Sequence, residues 1–201
     1  MIDVEVIGRL HAMTVQRWHE DEIDQPYDGF LLLICRQHEQ NFRLWHEEDI
    51  ARSRDVSDAE LAQVKRNIDG LNQRRNDLIE RLDDHLIGVL AAAGVEVWPG
   101  AQLNTETPGS VMDRLSILSL RIYHMQEQAE RADADEPHRA KARAKLETLC
   151  QQNRDLSRSL AELLEDIFSG RRRLKVYRQF KMYNDPTMNP YLYQAKQKPA
   201  A

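Results

Sequence analysis

The stretch that most constrains the fold runs from Leu31 to Arg52, LLLICRQHEQNFRLWHEEDIAR. It reads as one helix. A helix turns about 100° per residue, so side chains three or four apart share a face. Leu31, Ile34, Cys35, Phe42 and Trp45 fall on one face, and His38, Asp49 and Arg52 lie within it, with Asn41 at its edge. A buried polar group left unpaired costs on the order of 1–3 kcal/mol. Other segments must therefore close over this helix and bring it partners.

Those segments are helical too. Val4, Ile7, Thr14 and Trp18, with His11 among them, repeat at helical spacing. Ser57-Asp-Ala-Glu60 is a capping box, and Leu61, Val64, Ile68, Leu71, Leu78, Leu82 and Leu86 follow it on one stripe. Thr107-Pro108 opens a fourth helix, whose Arg114, Arg121, His124 and Gln128 share a flank. A fifth carries Leu146, Leu149, Cys150, Leu156, Leu160, Leu164 and Ile167, with Asn153 in the middle of the stripe. The expectation is one all-α domain over residues 1–201, an up-and-down bundle of about five long helices. The helices should cover roughly 3–20, 30–53, 58–93, 109–131 and 138–169. Residues 170–201 form an ordered C-terminal tail that packs back on the bundle, and residues 95–107 a loop with a short strand-like piece.

Composition narrows the partners. Charged residues make up 30% and the net charge is −5, so nothing draws the chain broadly to nucleic acid or to an acidic membrane. The longest apolar run, FLLLIC, is far shorter than the roughly 18 residues of a membrane span, and no basic leader precedes it. A cytoplasmic location fits two cysteines, Cys35 and Cys150, that read as free thiols on apolar helix faces.

If the second and third helices form an antiparallel hairpin with equal arms about residue 55, His38 stands level with Asn72, and Arg75 lies within a turn. His38, Asn72, Arg75 and Asn76 then form one inner polar cluster. Asn153, Arg121 and His124 reach toward the same layer from other helices. A guanidinium among amides suits a planar anion, which it binds through two parallel hydrogen bonds. The candidates are Arg75 as anion clamp and His38 as acid–base group. Asn41, Trp45, Asn72, Asn76, Arg121, His124 and Asn153 are the ligand-binding candidates. The partner is an anionic small molecule, phosphorylated or carboxylated. The rival is an interaction or scaffold protein, a homo-oligomer included, whose polar layer satisfies itself and fixes helix register.

Metal chemistry has weaker support. His46-x-x-Asp49 could serve a mononuclear hydrolase. Glu80-x-x-Asp83 should lie roughly 27 Å along the hairpin from Glu48, too far to share one ion. No Gly-rich phosphate loop, His-Glu-x-x-His pair or Gly-x-Ser-x-Gly elbow names a cofactor or a nucleophile.

Four stretches carry a resemblance: QHEQNFRLWHEEDIAR (Gln37 to Arg52), LNQRRNDLIERLD (Leu71 to Asp83), LSLRIYHM (Leu118 to Met125) and FKMYNDPTMNPYLY (Phe180 to Tyr193). They resemble a bacterial family catalogued as domain of unknown function 4254. The resemblance implies a small, soluble bacterial protein and transfers no catalytic residue.

Overall fold

The computed structural model describes residues 2–180, 182 and 185–195. Five long helices account for most of it: α1 (Val4–Glu20), α2 (Gly29–Arg52), α3 (Asp58–Ala92), α4 (Pro108–Glu130) and α5 (Glu136–Phe168). Four of the five starts have a side-chain cap; α2 has none. The Asp3 carboxylate accepts from the Glu5 N–H at 2.8 Å, Ser57 Oγ from the Glu60 N–H at 3.3 Å, Thr107 Oγ1 from the Ser110 N–H at 3.2 Å, and Asp135 from the His138 N–H at 2.9 Å. These side chains satisfy donors that a helix start otherwise orphans. Gly94 and Gly170, at φ +63° and +74°, end α3 and α5. At Gly170 a Cβ would run into the Glu96 carbonyl, so the position needs glycine twice over.

The hub is α4, which packs against all four other long helices. Met112, Leu115, Ser116 and Leu120 are almost fully buried there against Ile7, Ile34, Leu82 and Leu160. Helix α4 also sits flush on α3. A Cβ on Gly109 would lie 2.7 Å from the Ile79 carbonyl, and the Gly109 N–H donates to Asp83 at 2.8 Å.

Helices α2 and α3 form the expected antiparallel hairpin, but one turn out of the expected register. Asn67 donates to Glu47 at 2.9 Å, Arg74 to Gln40 at 3.1 Å, and Phe30 stacks on His85. Each pair lies about four residues further along α3 than equal arms would put it. The first turn of α3 overhangs the end of α2, which leaves Leu61 41% exposed.

The loop after α3 and the segment after α5 meet in a two-residue parallel pairing, β1 (Gln102–Leu103) with β2 (Arg172–Arg173). Beyond it Arg178 pairs with Glu80 and Asp84, and the Gln179 N–H donates to Glu80 at 3.1 Å. A short α6 (Pro190–Ala195) follows. The tail is thus attached at Arg178, and Leu174 packs against the core, while among the described residues Tyr177, Phe180, Met188 and Tyr191 are exposed. This corrects the expectation of a tail packed on the bundle for those four side chains. Lys181, Tyr183, Asn184 and residues 196–201 of that tail lie outside the described residues. Among the described residues no helix is long and apolar enough to cross a membrane.

Candidate functional site

Polar side chains do meet inside the bundle, but across α2 and α4 rather than α2 and α3. Asn41 Nδ2 donates to Asp113 Oδ1 at 2.8 Å and to Ser116 Oγ at 2.9 Å. Gln37 Nε2 donates to the same Asp113 oxygen at 2.6 Å. Ser116 Oγ lies 2.7 Å from His38 Nδ1. The Ser116 hydroxyl thus links Asn41 to the imidazole. The chain ends at Arg75, whose Nε stands 3.9 Å from Asp113 Oδ1, beyond hydrogen-bond reach. Burial pushes the Asp113 carboxyl above its ordinary value, against the opposing pull of Asn41, Arg75 and Gln37.

His38 does not line a cleft, which corrects its expected place beside Arg75, Asn72 and Asn76. It is fully buried, 4.6 Å from the His11 ring and stacked on Trp18 at 5.3 Å. Burial holds it well below its usual range, and His11 is pushed down to about 3 by the same cause. Both rings are thereby held in the neutral form near neutral pH. The reason is the face it occupies: His38 points from α2 toward His11 and Trp18 of α1 and Ser116 of α4, away from α3, so Arg75 reaches the network only through Asp113.

Arg75 instead lines a cleft of about 490 Å³ between α2, α3 and α4. Asn41, Trp45, Asn72 and Arg121 line it as well, so five of the nine candidate residues share one space. Asn76 accepts from Arg75 Nη2 at 3.4 Å, beside the cleft rather than in it. Among the described residues Arg121 has no ion-pair partner, Asn72 has no hydrogen bond, and Arg75 Nε is buried without one. Glu48, Asp49 and Arg52 of α2 also line the cleft, with Arg52 at 3.0 Å from Glu48 and 4.0 Å from Asp49. Asn153 sits half-buried on α5, which packs on α4 and α1, and does not line the cleft.

His124 belongs to the next layer. Its ring stacks on Trp45 at 4.6 Å and 9°, and its Nδ1 meets Glu127 at 2.8 Å. With His19, His46, Phe42 and Tyr123 it closes an aromatic cluster at the C-terminal end of α1. Desolvation and the neighbouring imidazoles of His19 and His124 lower the pKa of His46. No three His, Cys, Asp or Glu side chains among the described residues stand where they could hold a metal ion. Asp83, read from sequence as half of a carboxylate pair, accepts the Gly109 N–H and serves the start of α4.

Gln37, Asp113 and Ser116 escaped the sequence reading. Helix α4 touches four neighbours, so its inner positions cover more than one stripe, and polar residues at 113 and 116 look peripheral on any single stripe. Gln37 and Asn41, four apart on the face of His38, were the available signal.

A family model described as "Protein of unknown function (DUF4254)" matches residues 32–176. No curated protein and no solved structure matches the chain.

Proposed function

The chain belongs to the DUF4254 family, and we propose that it binds a small phosphorylated or carboxylated anion in the cleft between α2, α3 and α4. One observation carries this reading. Among the described residues, Arg121 has no ion-pair partner and Asn72 no hydrogen bond where they line the cleft, beside an Arg75 that makes no hydrogen bond to its nearest carboxylate. Two guanidiniums and an amide form a donor set that matches the oxygens of phosphate or carboxylate. The volume, about 490 Å³, suits a small molecule. The proposal is one of binding and assigns no reaction. It sets the protein in a reducing bacterial cytoplasm, where Cys35 and Cys150 stay free.

Calorimetric titration with inorganic phosphate tests it. Saturable binding by the parent, weakened at least tenfold in both Arg75→Met and Arg121→Met, is the expected result. Equal affinity in all three proteins would exclude the cleft.

A second reading also has its observation. Asp113 Oδ1 already accepts from two amides, as it would in an interaction protein whose polar layer sets helix register. A parent that binds no anion but self-associates in sedimentation would favour it.

A further inference from the structure

The cleft has a neighbour. Beyond Trp45, between α2, α4 and α5, lies a larger groove of about 850 Å³. The two spaces share Trp45, Asp49 and Arg121. Their chemistry differs. The groove adds Met125, Ala144 and Leu149 as apolar walls, with Lys141 and Lys145 along the α5 rim. Lysine stems cover apolar surface while their ammonium groups stay in water. Neither lysine has an ion-pair partner among the described residues, nor does Arg121. Two acids line the groove as well, Glu127 beside His124 and Asp49 at 4.0 Å from Arg52, so three cations face two carboxylates. The groove therefore pairs an apolar floor with an excess of positive charge, and opens at Arg121 into the cleft of Arg75.

We propose that cleft and groove form one site for a single-chain anionic amphiphile, such as an alkyl phosphate. Its anionic head lies between Arg75 and Arg121, and its apolar chain runs past Trp45 onto Met125 and Leu149. This rests on the anion-binding reading of the cleft and extends it. The stacked Trp45–His124 pair forms the corner where head meets chain. Apolar contact along the chain raises affinity stepwise with length, about two- to fourfold per methylene. A simple anion gains nothing from the groove.

The test is a calorimetric series with inorganic phosphate and then ethyl, butyl, hexyl and octyl phosphate, kept below micelle-forming concentrations. Parent protein should bind phosphate and then tighten about two- to fourfold per methylene. Ala144→Trp fills the groove from an exposed position, so folding is not at risk. It should keep the phosphate affinity and lose the dependence on chain length. Phosphate binding with a flat series in the parent overturns the amphiphile and leaves the anion cleft standing. A slope that persists undiminished in Ala144→Trp puts the chain elsewhere and also overturns it. No phosphate binding at all, with no binding of any alkyl phosphate, overturns both readings.

Discussion

Arg75 Nε lies 3.9 Å from Asp113 Oδ1, close enough for charge attraction but not for a hydrogen bond, because Gln37 and Asn41 already occupy that oxygen. The carboxylate holds the guanidinium at the cleft without consuming its donors. Asp113→Asn should therefore release Arg75 further. An Asn oxygen can still accept from both amides, so stability should change by no more than about 1 kcal/mol. Phosphate affinity should rise several-fold. A weaker affinity in titration would mean that Asp113 positions Arg75 rather than competing with the anion for it.

Asn41 joins Asp113 and Ser116 in a mostly buried layer. Asn41→Ala removes two hydrogen bonds and leaves a mostly buried carboxylate with one donor fewer. A loss of about 2–4 kcal/mol is expected from urea unfolding. A loss below about 0.5 kcal/mol would show that the layer contributes nothing to the fold.

His11 and His38 make the protein acid-sensitive. Each is neutral in the fold, and His11 stays so down to about 3, whereas an unfolded histidine takes its proton near 6.5. The unfolded state thus binds more protons below pH 6.5, and stability falls as pH drops from there toward 3. The slope is about 1.4 kcal/mol per pH unit for each ring. Neither His11 nitrogen has a hydrogen-bond partner. His11→Leu should match or exceed the parent's urea midpoint at pH 7 and lose roughly half of the slope between pH 6.5 and 5. An unchanged slope would mean that other groups carry the acid sensitivity.

Gly109 lets α4 lie against α3. Gly109→Ala would set a Cβ 2.7 Å from the Ile79 carbonyl and 2.9 Å from Asp83 Oδ1. Backbone on one side and a buried cap on the other leave little room to yield. A destabilisation of about 1–3 kcal/mol is expected, read from the urea midpoint. A neutral outcome would mean that the two helices can part at no cost.

Much of the fold was legible in the sequence. The caps at Ser57 and Thr107 and the stop at Gly94 speak through local chemistry, and the helix bounds fell within a residue or two. Helix α5 starts at Glu136, two residues early, because Asp135 rather than Pro137 sets its first turn. The site was legible in part. Asn41, Trp45, Asn72, Arg75 and Arg121 share a cleft because the flank of α4 and the inner faces of α2 and α3 were read correctly. Its depth was not legible. Register depends on how far α3 overhangs α2, a tertiary fact with no local signature. Nor does the sequence say which helices cover the His38 face of α2; α1 and α4 do, which buries the ring and gives Asp113 the central place. The exposed apolar side chains of the tail had no local signature either, since a run of prolines and aromatics reads alike whether covered or bare.

The most direct measurement is the urea midpoint of the parent and of Arg75→Met, each with and without saturating inorganic phosphate. A ligand that binds only the folded state raises the midpoint by mass action. Without phosphate, losing Arg75 should cost no more than about 1–2 kcal/mol, since Asp113 keeps two amide donors. With phosphate, the midpoint of the parent should rise and that of Arg75→Met should stay. A loss of about 3–5 kcal/mol without phosphate, and no response to phosphate in either protein, would make Arg75 a structural partner of Asp113 and contradict the anion cleft.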